Sequence, residues 1–244
     1  MTKITSRIHS LLQNYTRIYV DIHSHKVNQA TIKEDVLSII NLRLGHDLLQ
    51  FFPKSFYSIG IHPWDVKCKD SLELDLSQLE KYALLEEVIA IGESGLDRVR
   101  DIDWSSQKEV FLAHMKVAKK VGKPLIIHAV RSHSDILQML KVEKWEMTKL
   151  PLIHHDFRGN IETVKQYKNY HCYFSYGQSL WHNGDHLQAF LSLPIEQIFL
   201  ETDDQVQYGI EEIYYKAAEL RRIKMDDLKL SLMNNFFNLI QDLP

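Results

Sequence analysis

Short apolar runs rich in Val, Ile, Leu and Phe recur along the chain. Between them lie longer stretches whose apolar positions fall three and four residues apart. The first pattern is that of buried strands, the second that of amphipathic helices. Strands are predicted near Ile18–Ile22, Val36–Leu42, Phe56–Ile61, Val88–Gly92, Leu125–His128, Leu152–His155, Cys172–Ser175 and Ile198–Glu201. Such alternation builds a parallel sheet, and about eight strands is the number a closed barrel needs. The predicted fold is α/β: a TIM-type (β/α)8 barrel, with allowance for distortion, behind a short N-terminal extension over residues 1–16. No Pro-rich or Gly/Ser-rich linker, repeat or low-complexity segment divides the chain, so one domain over residues 1–244 is expected. The first twenty residues stand outside the barrel rhythm and read as a helical cap without evident chemistry.

One helix shows how local chemistry sets a boundary. Ser106 followed by Glu109 forms a capping-box pattern ahead of an apolar stripe. Val110, Phe111, Met115, Val117, Ala118 and Val121 then share one face, while Lys116, Lys119 and Lys120 take the other. Gly122 can adopt the left-handed conformation that ends a helix, and Pro124 blocks its continuation. With Lys123, the lysines read as a solvated face rather than a nucleic-acid contact.

Composition narrows the class. The chain has 29 Lys+Arg against 32 Asp+Glu, a formal charge of −3, and 45% hydrophobic residues, which is ordinary for a globular protein and excludes dominant disorder. No stretch approaches about 18 uncharged apolar residues, so no transmembrane helix is expected. The N-terminal sequence MTKITSRIHSLLQNYTRIYV is interrupted by polar residues every few positions, so no secretory signal is expected and the protein is placed in the cytoplasm. A slightly acidic chain is no general nucleic-acid coat; a DNA substrate would need local basic groups or bound cations. Two cysteines, Cys68 and Cys172, without a CxxC spacing, argue against a disulfide framework or a thiolate zinc site. No protein partner can be inferred.

The chemistry lies where predicted strands finish, because in a parallel barrel those ends share one face. Strand one ends in DIHSH, and alternation along an extended chain would point Asp21, His23 and His25 the same way. Strand four ends in IGESGLD with Glu93, and strand five in LIIH with His128. Strand six ends in LIHHDFRG with His155 beside His154, and strand eight in FLETD with Asp203 beside Asp204. Imidazole and carboxylate together suit borderline divalent metals, and a bridging carboxylate lets two ions sit about 3.5–4 Å apart. Glu93 is the natural bridge. Alone, each of these residues has a plainer reading: a buried hydrogen-bonding histidine, a turn cap, a helix N-cap, or, for Asp21, a partner to a ligand histidine. Their joint occurrence favours the metal.

Read in order, these spacings resemble the TatD family of metal-dependent deoxyribonucleases, within the wider metal-dependent hydrolase superfamily. The marks are DIHSH, GIHPW, AIGESGLD, the helix start from Gln107 to Phe111, KPLIIHAVR, HDFRG, FLETD and the terminal NFFNLI. The resemblance implies two divalent ions, magnesium, manganese or zinc. His23, His25, Glu93 and Asp203 would hold one, and Glu93 would bridge to a second held by His128 and His155. Asp203 would also position or deprotonate the attacking water, making Asp203 and Glu93 the catalytic pair. His62 would support the site or touch phosphate. Arg131 and Arg158, which follow strand ends on the same face, read either as phosphate contacts or as ordinary surface cations. The HxFxG spacing selects His155 over His154, which is expected to pack behind the barrel, and the ETD match selects Asp203. The implied activity is phosphodiester hydrolysis in DNA, exonucleolytic on single strands. Three neighbours depart from the family: HDFRG replaces HCFSG and sets Arg158 where a small residue stands, ETDDQ replaces ETDAP, and Arg131 follows His128 by three residues rather than two. Two further readings fit these changes: a hydrolase of an amide, lactone or small phosphoester, or a non-catalytic metal-binding barrel. Trp64 and Trp104 are either stacking platforms for bases or rings half-buried under loops.

Overall fold

In the computed structural model the described residues are 18–25, 33–47, 51–52, 55–66, 69–204, 207–241 and 243. Residues 1–17 of the segment expected to form a helical cap, and Cys68, lie outside them, while the last residues of that segment, Tyr19 and Val20, belong to the first strand. Eight strands run β1 Tyr19–Ser24, β2 Val36–Arg43, β3 Phe56–Gly60, β4 Val88–Asp97, β5 Leu125–Val130, β6 Leu152–His154, β7 Cys172–Tyr176 and β8 Ile198–Leu200. Their order in the sheet is their order in the chain, and every neighbouring pair is parallel. The sheet closes by a parallel bridge between Ser24 and Asp203, with Asp203 N donating to His23 O at 2.9 Å and His25 N to Asp203 O at 3.2 Å. This is the predicted barrel.

Helices α1 Lys69–Tyr82, α2 Trp104–Val121, α3 His133–Val142, α4 Ile161–Gln166, α5 Asp185–Ser192 and α6 Ile210–Arg221 follow strands three to eight, and α7 Met225–Ile240 completes the described set. Two apolar clusters result. The outer one joins strand residues such as Ile59, Val88, Leu125 and Leu152 to helix residues such as Phe111, Ile136, Phe190 and Tyr214. The inner one stacks Val20, Ile39, Phe56, Ile126, Ile153 and Phe199 on Met233, Phe236 and Leu239 of α7, so the NFFNLI segment is core rather than chemistry. Burying each such side chain contributes roughly 1.5–3 kcal/mol.

Four expectations change. Lys123, expected on a solvated face, is buried, and its Nζ donates to Ala83 O at 2.6 Å and Leu85 O at 2.9 Å, because the ammonium reaches carbonyls left free after α1. Helix α2 begins at Trp104, and its cap is Asp103, whose carboxylate accepts from Ser106 N at 2.7 Å. Ser106 therefore sits inside the first turn, because a carboxylate three residues upstream reaches the same free N–H. Strand β4 runs on to Asp97 instead of ending at Gly92, since pairing with β5 resumes from Ser94↔Ile127 to Asp97↔Val130 after a register shift. Glu93 therefore stands within a strand. In β1 the register also shifts, between Asp21 and Ser24. Asp21 does not join His23 and His25; it accepts from Thr202 N at 3.0 Å and Thr202 Oγ1 at 2.7 Å. A bulge re-aims the side chains beyond it, which strict alternation cannot anticipate.

Candidate metal centre

Glu93 lies at the middle of the barrel mouth, with donors on both sides. Its Oε2 is 3.3 Å from His23 Nε2 and 3.5 Å from His25 Nε2, while Asp203 Oδ1 is 3.7 and 3.3 Å from the same two nitrogens. Its Oε1 faces the other way, 2.7 Å from His128 Nδ1, 2.7 Å from His155 Nε2 and 3.1 Å from His62 Nε2. The six residues expected to share a mouth are thus brought together, around the carboxylate expected to bridge.

The backbone near Glu93 is built for close approach. A Cβ on Gly60 would strike the Glu93 carbonyl, and one on Gly95 would strike the carbonyl of His128. Asn41 Oδ1 accepts from Glu93 N at 2.8 Å and from Ser58 Oγ at 3.0 Å, which leaves its Nδ2 facing Glu93 Oε2 at 3.5 Å. Asp203 holds a positive φ of 53°, an uncommon state for a non-glycine residue that clusters at functional sites.

Charge follows geometry. Burial pushes the Glu93 carboxyl up, but electrostatic attraction to His155, then to His62, and bonds from His128 and His155 hold it well below the ordinary value. Burial, aided by His155, pushes His23 down, so its ring is neutral. Burial acts the same way on His25, yet bonds to Asp203 and Glu93 raise it to about 9. His155 rises well above its usual range despite burial, held by Glu93 and Glu201, and His128 also rises, held by Asp97 and Glu93. Asp203 is kept below the usual carboxylate range, against burial, by His25, His155 and His23. Positive charge is what this cluster calls for.

The donor set fits divalent cations. His23 is fully buried and neither ring nitrogen has a hydrogen-bond partner among the described residues, although a buried unpaired polar group costs about 1–3 kcal/mol. Ligand atoms about 2.0–2.2 Å from one ion stand roughly 3.4 Å apart in tetrahedral geometry, and the separations among His23, His25, Glu93 and Asp203 match. His23, His155 and Asp203 also converge, as do His62, Glu93 and His128. His62 is a weaker ligand candidate. Its Nδ1 accepts the Trp64 N–H at 3.1 Å, so Nε2 carries the proton and donates to Glu93.

The sequence from residue 14 to residue 241 matches the family described as TatD related DNase. The chain belongs to the TatD family. Proteins named as uncharacterized metal-dependent hydrolases recur among its relatives. An uncharacterized metal-dependent hydrolase of Buchnera aphidicola from Acyrthosiphon pisum is 30% identical over 189 residues, 74% of this chain and 69% of that protein. The Deoxyribonuclease Tat-D of Schizosaccharomyces pombe is 28% identical over 156 residues, 60% of this chain and 50% of that one. Among solved structures, a TatD homologue from Escherichia coli K12 superposes with a TM-score of 0.80 at 20% identity, covering 94% of this chain and all of the other, and shares the barrel.

The remaining candidates sit around this centre. His154 turns away from the mouth, stacked on Phe174 at an interplanar angle of 8° and edge-on to Tyr167. Arg131 follows β5, exposed, with a positive φ of 52°. Arg158 is half exposed and clasped by Asp156, its Nε lying 3.0 Å from both carboxylate oxygens. Trp64 is 40% exposed and donates its indole N–H to Asp97 at 2.7 Å. Four supporting residues were not singled out from the sequence. Asn41 positions Glu93. Asp97 lies 3.5 Å from His128 Nε2, Glu201 lies 3.5 Å from His155 Nδ1, and Gln107 accepts from Asp97 N at 2.8 Å. Asp97, Glu201 and Gln107 fall inside the segments that carry the family resemblance, whereas Asn41 had only its polarity within an apolar run.

Proposed function

We propose that the protein hydrolyses phosphodiester bonds in DNA, as an exonuclease on single strands, using two divalent cations: magnesium, manganese or zinc. The observation that carries this reading is Glu93, with one oxygen toward His23, His25 and Asp203 and the other toward His128 and His155. Cations held there would lower the pKa of a bound water and offset charge building on a phosphoryl oxygen. Asp203 borders a cavity of about 120 Å³ lined also by Asp156, Arg158, Gly177, Gln178 and Thr202. It is therefore the carboxylate we assign to orienting the attacking water and taking its proton. His62, protonated on Nε2, holds the Glu93 carboxylate in place. Asp97 and Glu201 orient the rings of His128 and His155 from behind, as outer carboxylates do for histidine ligands. Arg131 and Arg158 stand at the rim for the DNA backbone. The deoxyribonuclease among the relatives supports the choice of DNA.

The test is the manganese-loaded protein on 3′- and 5′-labelled single strands beside a chelated control. Stepwise shortening from the 3′ end is expected, and no turnover above the control on any strand would overturn the reading. A second reading, hydrolysis of a small phosphoester, lactone or amide, draws on the Asp156 clasp around Arg158 and the small cavity beside it. A panel of phosphodiesters, lactones and amides separates the two, and a barrel that holds metal without catalysis would turn over none of them.

A further inference from the structure

The residues that would grip a polynucleotide are distributed unevenly around the mouth. On the Asp203 side, the cavity carries the carboxylates of Asp156, Glu201 and Asp203 against one guanidinium, already paired with Asp156. Its volume is below the roughly 300 Å³ at which ligand pockets begin, so beyond Arg158 it offers a polynucleotide little to hold. On the opposite side, the turn after β3 and the loop after β4 present aromatic rings with cations over them. Trp64 stands edge-on to His62, ring centroids 4.8 Å apart, and 6.1 Å from His128. The Arg100 guanidinium lies 4.0 Å from the Trp64 centroid, and the Arg98 guanidinium 4.1 Å from that of Trp104. Arg98 is paired with Asp135 at 2.8 Å; Arg100 is exposed and forms no ion pair among the described residues.

We infer that Trp64 and Arg100 form a binding site for one nucleotide of a single strand, the indole stacking its base and the guanidinium pairing with its phosphate. This rests on the DNA reading above. Three observations carry it. Trp64 is too exposed for a core tryptophan, yet its ring is fixed by the indole N–H bond to Asp97, so stacking on it costs little ordering. Stacking on the ring uses only the face of Arg100 and leaves its N–H edge for a phosphate. The platform also touches the centre itself, since Asp97 faces both Trp64 Nε1 and His128 Nε2. Stacking makes no hydrogen bonds to base edges, so the site would take any base but require that it be unpaired.

Equilibrium binding of short fluorescein-labelled strands, read by anisotropy on the chelated full-length protein, tests this without cleavage. An abasic residue is walked along the strand. At one position it should weaken binding by about 10-fold in the wild type, and in Trp64→Leu the same abasic residue should cost nothing further. An equal abasic penalty in both proteins, or none at any position, overturns the site. Should Trp64→Leu fail to fold, Arg100→Ala decides: its binding should lose about one phosphate contact's worth of salt dependence, and an unchanged salt slope overturns the assignment. Cleavage of unmodified strands by the manganese-loaded wild type tests the DNA reading separately. If that cleavage is absent while the abasic coupling persists, the nucleotide site stands and hydrolysis alone falls.

Discussion

His155 Nε2 and His23 Nε2 approach different oxygens of the same side chain, at 2.7 Å from Glu93 Oε1 and 3.3 Å from Glu93 Oε2, with their rings 4.5 Å apart. A single carboxylate thereby divides the imidazoles of the mouth into two groups that are drawn together by its charge. Removing that charge should undo both groups at once.

Glu93→Ala should therefore lower metal content and activity together, activity by at least about 100-fold, since even outer supports of a metal site cost 10–100-fold. Elemental analysis beside a nuclease assay checks this. Normal metal occupancy in the variant would contradict the bridging role. Glu93→Gln keeps the shape without the charge and should fail in the same way.

Metal uptake should release protons and weaken as the medium becomes more acidic. His25 rises to about 9 in the metal-free protein, so at neutral pH an ion must displace its proton. Calorimetric titration with manganese in two buffers of different ionisation enthalpy measures the release. Without metal the linkage runs the other way. A histidine raised above its unfolded value of 6.5 contributes stability in full below pH 6.5 and loses it as pH climbs through about 9. Metal-free protein should thus lose stability over that window, and His25→Gln should lose less.

His114 should make the fold acid-sensitive over a different window. Its Nε2 accepts the Ile61 N–H at 2.9 Å and its Nδ1 donates to Val110 O at 2.8 Å, so the ring is neutral by construction. Burial lowers it to about 4. A histidine depressed in the folded state contributes stability above pH 6.5 and loses it as pH falls toward 4, by up to roughly 3 kcal/mol. Urea unfolding of wild type and His114→Gln across this range should show a shallower pH dependence in the variant; parallel curves would remove His114 from the account.

The two rim arginines should differ. Arg131 is exposed with no ion pair among the described residues, while Asp156 already neutralises Arg158. Arg131→Ala is expected to raise KM for DNA about 5–10-fold, and Arg158→Ala only about twofold. Freeing Arg158 by Asp156→Asn should lower KM. Unchanged KM in all three variants would place both arginines outside the substrate path.

Much of this was legible in one dimension because its signals are local. Strand positions followed from apolar runs, and the end of α2 at Gly122, with φ of 66°, followed from a glycine before Pro124. Strand ends share one face in a parallel barrel, so His23, His25, His128, His155 and Asp203 were placed at a common mouth before any distance was known. The choice of His155 over His154 came from the HxFxG spacing of the resemblance, since alternation says only that neighbouring side chains point to opposite faces. Other features depend on neighbours brought in by folding. Asn41 and Glu93 are far apart in the chain, and nothing near Asn41 announces that its carbonyl oxygen will hold the Glu93 N–H.

The order of side-chain types along the polypeptide determined that this is a barrel with metal-seeking groups at one rim, because strand periodicity and residue chemistry are properties of single segments. Tertiary structure alone decided the register. Shifts between Asp21 and Ser24 in β1 and between Ile91 and Ser94 in β4 separated Asp21, bonded to Thr202, from His23 and His25 and set Glu93 among the histidines. Register depends on how adjacent strands pair and where a bulge relieves that pairing. It also decided that Asp156 holds Arg158 while Trp64 leans on Asp97, since the placement of a charge depends on which partner the fold brings within reach.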